Sequence, residues 1–94
     1  MVDNMTRLEN VVALPGKTIQ YNYAIIPPEG MQLDYNVLKT NLEPGIINNV
    51  KTNPDMKAFR DKDVKIVYYY KDDKGTFLFK IEAGPDKYKW FLLL

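Results

Sequence analysis

Cysteine and histidine are both missing from this sequence. Without cysteine the chain forms no disulfide, no thiolate metal site and no cysteine nucleophile. The redox compartment stays open, because cytosolic and exported proteins alike do without the residue. Without histidine the commonest zinc ligand and the commonest general base are gone, so any catalysis would rest on carboxylates, lysine or tyrosine with displaced pKa values. The expectation is a protein that is not an enzyme and holds no cofactor or metal. An excess of charge of one sign is also lacking. Lysine and arginine number 13 against 12 acidic residues, a net charge of +1, so no global field gathers phosphates or acidic lipids. No apolar run approaches the roughly 20 residues that cross a bilayer. Residues 1–8 lack the basic start and apolar centre of a secretory signal, so the chain is either cytosolic or begins after a removed one.

What remains is an ordinary globular composition, 46% hydrophobic and 27% charged over 94 residues. Repeats and low-complexity linkers are absent, which predicts a single domain over 1–94, near the lower end of sizes that fold unaided. The richest stretch is Val64 to Ile81. Two runs of β-branched and aromatic residues flank Asp72-Asp73-Lys74-Gly75, which predicts an antiparallel hairpin. Thr6 to Leu14 reads as a strand joined to the next by Pro15-Gly16, the central pair of a type II turn. Lys17 to Ile26 alternates, with Ile19, Tyr21, Tyr23 and Ile25 on one side, until Pro27-Pro28-Glu29-Gly30 ends it.

Between these pairs the spacing turns helical. Leu38, Leu42, Ile46 and Val50 recur every fourth residue, with Tyr35, Val37 and Ile47 widening the stripe and Asp34 placed to cap it. Pro44-Gly45 predicts a kink or two short helices, and Asn53-Pro54 a further helix start. The expected core is Ile19, Tyr21, Tyr23, Ile25, Val64, Ile66, Tyr68, Phe77, Phe79 and Ile81 beneath Leu38, Leu42, Ile46, Val50 and Phe59. The fold class is α+β: a three- or four-stranded antiparallel sheet with a broken helix pair packed on one face, in the order ββααββ.

Alternation leaves Lys65, Tyr69, Lys71, Lys80 and Glu82 on the sheet face away from the helices. They make a candidate platform for a protein, peptide or glycan partner, or else a solvated face. The run Lys74 to Ile81 resembles the aromatic strand of RNA-recognition domains, which makes nucleic acid a second reading, weakened by the balanced charge and by the habit of strand aromatics to fill cores. Asn48, Asn49, Lys51, Thr52, Asn53 and Asp55 gather at a helix junction and read as a ligand pocket or, more simply, as caps and turns. Asp61, Asp63, Asp72 and Asp73 lack the spacing of a calcium loop, and Arg7 and Arg60 read as partners of structural salt bridges. The apolar end, with Trp90, Phe91 and Leu92, either packs on the core or joins a second copy as a self-association tail.

The phrases Thr6-Arg7-Leu8, Leu14-Pro15-Gly16-Lys17-Thr18-Ile19-Gln20-Tyr21-Asn22-Tyr23, Ile47-Asn48-Asn49-Val50-Lys51-Thr52-Asn53-Pro54-Asp55-Met56, and Val67-Tyr68-Tyr69-Tyr70-Lys71-Asp72 with Gly75 resemble a group of small uncharacterised bacterial proteins. Members are often described as lipoproteins or envelope proteins. The likeness spans about residues 6–83 and implies a periplasmic or envelope-associated location, with no activity and no catalytic residues to carry over. Together these readings predict a non-catalytic binding or structural module of the bacterial cell envelope.

Overall fold

The computed structural model describes residues 5–88. Its elements run β1 (Thr6–Leu14), β2 (Thr18–Ile25), α1 (Tyr35–Thr52), a 3-10 turn (Pro54–Met56), α2 (Lys57–Asp61), β3 (Lys65–Asp72), β4 (Phe77–Ala83) and α3 (Pro85–Tyr88). The class is α+β. The four strands lie in the order β1-β2-β3-β4. Both hairpins, β1 with β2 and β3 with β4, are antiparallel. The middle pairing is parallel, with Thr18 opposite Lys65 and Ile25 opposite Asp72, so the sheet is mixed rather than wholly antiparallel. The cause is the length of α1. Its 18 residues at about 1.5 Å each span about 27 Å, close to the length of the eight-residue β2 at about 3.3 Å per residue. The helix therefore returns the chain to the end of the sheet where β2 began, and the next strand runs the same way.

Local chemistry sets the element ends. Gly16 at φ 79° supplies the positive corner after Pro15, and Lys17 at φ 54° completes the connection. Asp34 Oδ1 accepts from the backbone N–H of Asn36 at 3.0 Å and of Val37 at 3.3 Å, capping α1. Pro44 does not break that helix, which runs through it without interruption. Pro44 and Thr40 are both exposed, so the carbonyl that loses its partner lies at the surface, where the missing bond is cheapest. The break comes at Asn53. Its Oδ1 accepts from Asp55 N at 2.9 Å, and Pro54 opens the 3-10 turn. Arg60 then donates from Nη1 to the carbonyls of Val50 (2.9 Å) and Asn53 (2.8 Å). It ties α2 to the end of α1 where a salt bridge to a carboxylate was expected.

The helices cover one face of the sheet. Ile25, Val50, Ile66, Tyr68, Tyr70, Phe79, Ile81, Ala83 and Tyr88 form the buried centre, with Leu38, Leu42, Ile46 and Phe59 packed against it. Three expectations fail. Ile19 is only half-buried and lies outside the core cluster. Val37 is 53% exposed, off the helical stripe, and Phe77 is 48% exposed. A bulge between Tyr70 and Lys71 puts Phe77 opposite Lys71 and Phe79 opposite Tyr70. Residues that strict alternation would place together therefore fall on opposite faces. Tyr88 is an addition: fully buried, it donates its hydroxyl to the Val64 carbonyl at 2.6 Å. Trp90, Phe91 and Leu92 lie outside the described residues.

Candidate functional site

Alternation in β2 and β3 carries Tyr21, Tyr23, Tyr68 and Tyr70 to the helix side of the sheet, and β4 adds Phe79. Their rings stand in a row. Tyr21 and Tyr68 are 5.4 Å apart, Tyr23 and Tyr70 5.1 Å, and Tyr70 and Phe79 4.7 Å, with interplanar angles of 12°, 14° and 26°. Rings stacked side by side cover one another's faces, so the row turns its edges and hydroxyls away from the sheet.

Helix α1 packs over β4 and α3 and leaves β1 open on that side. There Leu8 and Val11 are each 47% exposed. A cleft of about 590 Å³ opens between helix and hairpin, with Tyr23, Tyr68 and Tyr70 on its floor and Thr6 at the strand end. The helix wall is built by Asn41, Gly45, Asn48, Asn49 and Thr52 beside Leu42 and Ile46. Asn41, Gly45, Asn48 and Thr52 fall at helical spacing, a polar stripe adjoining the apolar one. Among the described residues no charged side chain lines the cleft. The Tyr68 hydroxyl bonds the Asn49 side chain, yet burial, with smaller contributions from the neighbouring phenols of Tyr23, Tyr21 and Tyr70, raises its pKa far above the ordinary value. Burial, then Tyr21, raises that of Tyr23. Both phenols therefore stay protonated and able to donate at any physiological pH.

The polar junction residues separate into two roles. Asn48, Asn49 and Thr52 line the cleft, while Asn53 is a cap. Thr52 Oγ1 donates to the Asn48 carbonyl at 2.9 Å, and Asn53 Nδ2 to Asn49 Oδ1 at 3.1 Å.

On the opposite face the structure brings Lys65, Tyr69, Lys71, Lys80 and Glu82 together, with no helix of the described residues above them. Their charges are already engaged. Glu9, at the bulge in β1, holds Lys71 Nζ at 3.0 Å and Arg7 Nη2 at 2.8 Å. Glu82 holds Lys80 at 3.1 Å and Lys65 at 3.8 Å. Lys71 and then Arg7 lower the Glu9 pKa, as Lys80 and then Lys65 lower that of Glu82. Asn22 Nδ2 donates to Asn10 Oδ1 at 2.6 Å and Gln20 Nε2 to Asn22 Oδ1 at 2.8 Å, forming an amide ladder. Tyr69 packs on Phe77 at 4.9 Å. Ala24 and Val67 are buried on this face, flanked in register by Arg7 and Lys71 and by Gln20 and Glu82.

Asp72 serves the hairpin turn. Its Oδ1 accepts from Lys74 N at 2.9 Å and Thr76 N at 2.8 Å, and these backbone bonds, that of Thr76 foremost, lower its pKa. Among the described residues no group of three or more acidic side chains is placed to hold a metal ion, and no helix is long and apolar enough to cross a membrane.

Comparison with curated proteins gives no match. Among solved structures, the fold is similar to a crystal structure of a "putative secreted protein" from Pseudomonas aeruginosa, with a TM-score of 0.72 over 95% of this chain and 77% of that one. At 6% identity the likeness is one of fold alone. The model of one family, described as Domain of unknown function (DUF8479), matches residues 1–79, and the chain belongs to that family.

Proposed function

We propose that this protein is a non-catalytic binding module of the bacterial cell envelope, and that its ligand is an uncharged molecule held between α1 and the β2–β3 strands. One observation carries the reading: a cleft of about 590 Å³ with hydrogen-bonding groups on both walls and, among the described residues, no charge in its lining. That volume lies inside the range of about 300–1,000 Å³ typical of ligand sites. The same lining argues against catalysis, since Tyr23 and Tyr68 titrate above the ordinary tyrosine value and supply no base near neutral pH. The envelope location draws support from the resemblance of its sequence phrases to envelope proteins and from a structural neighbour described as secreted.

The face bearing Lys65, Tyr69, Lys71, Lys80 and Glu82 is the other surface for a partner. Its lysines already contact carboxylates, so a partner there must compete with internal pairs. For nucleic acid that competition is hardest, because phosphate binding depends on free cations.

The test uses Gly45, where an added Cβ meets no atom within 4 Å. Gly45→Phe fills the cleft from an exposed helix position. Amide NMR of the protein with a library of neutral metabolites should show shifts confined to Asn41, Gly45, Asn48 and Thr52, abolished in Gly45→Phe. Shifts centred on Tyr69 and Lys80 that survive the substitution would refute the cleft. Fractionation of the native bacterium checks the location: recovery from cytosol alone refutes it.

A further inference from the structure

Resting on the reading of the cleft as a binding site, we propose that its ligand is a neutral saccharide, held by the phenols of Tyr23 and Tyr68 and the carboxamides of Asn41, Asn48 and Asn49. The choice follows from what the walls offer and what they withhold. A carboxamide presents one acceptor oxygen and two donor hydrogens, and a phenol both donates and accepts. A surface built from such groups matches a ligand whose every polar group is a hydroxyl, itself donor and acceptor. An anionic ligand would find no counter-charge among the described residues of this lining, at the cost of its desolvation.

A planar base or other aromatic ligand needs an open ring face for stacking. Here Tyr70 is covered by Tyr23 at 5.1 Å and by Phe79 at 4.7 Å, and Tyr23 and Tyr68 each turn a face to neighbouring rings. A peptide strand is held by main-chain bonds to a free sheet edge. The floor of the cleft is β2 and β3, each already paired on both sides, so no ladder is on offer. The apolar surface of Leu42 and Ile46 beside these groups suits the C–H side of a sugar ring, which has apolar and hydroxylated aspects in one small unit.

Amide NMR of the 15N-labelled protein tests this with three sets of probes: linear tri- and tetrasaccharides of glucose, mannose, galactose and N-acetylglucosamine; an oligogalacturonate; and blocked neutral tripeptides. Each is added up to about 10 mM, which reveals millimolar affinities. The expected result is saturable shifts at Asn41, Gly45, Asn48 and Thr52 with at least one neutral oligosaccharide, and affinity reduced about tenfold in Asn48→Ala, the usual order for one lost hydrogen bond. Alanine is the better helix former, so the amide spectrum of Asn48→Ala verifies that the fold is kept. Stronger response to oligogalacturonate overturns neutrality, and response to tripeptides alone overturns the saccharide while leaving the cleft a binding site. Silence from all three sets overturns the saccharide, and the cleft reading falls with it only if the library of neutral metabolites is silent as well.

Discussion

The hydroxyl of Tyr88 is the sharpest point at which to test the packing. The side chain is fully buried and its hydroxyl donates to the Val64 carbonyl at 2.6 Å, linking the short α3 to the entry of the neighbouring strand β3. Tyr88→Phe keeps the ring and deletes only that bond. A typical bond contributes about 0.5–1.5 kcal/mol and a deserted buried carbonyl costs about 1–3 kcal/mol, so the loss should be about 1–2 kcal/mol. For a domain of this size each kcal/mol moves Tm by roughly 4–8 °C. Tyr88→Ala removes the ring as well and should cost about 3–5 kcal/mol, in line with other large aromatic truncations. Urea unfolding followed by far-UV circular dichroism gives both values, provided the slope m is unchanged between variants. If Tyr88→Ala costs less than about 1 kcal/mol, far below the range for buried aromatics, α3 is no part of the core. If Tyr88→Phe is neutral while Tyr88→Ala is costly, the ring matters and the hydrogen bond does not.

Gly45→Ala should stabilise the protein by about 0.5–1 kcal/mol, because a mid-helix glycine is entropically costly and the added methyl meets open space; a lower urea midpoint would contradict it. Arg60→Met should cost about 1.5 kcal/mol by stripping charge-assisted bonds from the Val50 and Asn53 carbonyls, measured by the same unfolding curves. Folding raises the pKa of Tyr68, Tyr23 and Tyr88, so above the ordinary value of 10.0 the unfolded chain releases protons that the native state keeps. Stability should hold up to that pH and fall beyond it, and less steeply in Tyr68→Phe; equal alkaline slopes in the two proteins would refute the assignment. For Glu9 and Glu82 folding lowers the pKa. Their contribution is full above the ordinary carboxylate value and fades as pH drops through the lowered one. Being surface pairs they should matter little, and salt should erase the difference between pH 7 and pH 3 that they cause.

Much of this architecture is legible in the residues. Pro15-Gly16, Asp34 and Asn53-Pro54 mark turns and caps where they occur, and the tyrosines of β2 and β3 face the helices as alternation requires. The missed features share a physical origin in longer-range geometry. Strict alternation cannot register the bulge that turns Phe77 outward. Pro44 looks like a helix end until the exposure of its turn is known. The parallel seam was hidden in a length match between α1 and β2 that composition does not display. For the cleft, Asn48, Asn49 and Thr52 were visible as a polar group. Their place beside Asn41 and Gly45 needed helical phase, and the tyrosine floor needed the strand order. Tyr88 carried no signal, since it follows the Gly84-Pro85 that ends β4.

The parallel seam has a kinetic consequence. Each hairpin closes over a short turn, whereas β2 and β3 meet only after the whole helical crossover has been reeled in, so the sheet should zip from its margins and seal last along its midline. Transient opening should retrace that route, which makes the midline amides the ones whose hydrogen exchange reports the separation of the two hairpins. Tyr23 stands on one side of that line and Tyr68 and Tyr70 on the other. A guest lodged above them would act as a staple, and its arrival should slow exchange along the midline more than anywhere else in the sheet.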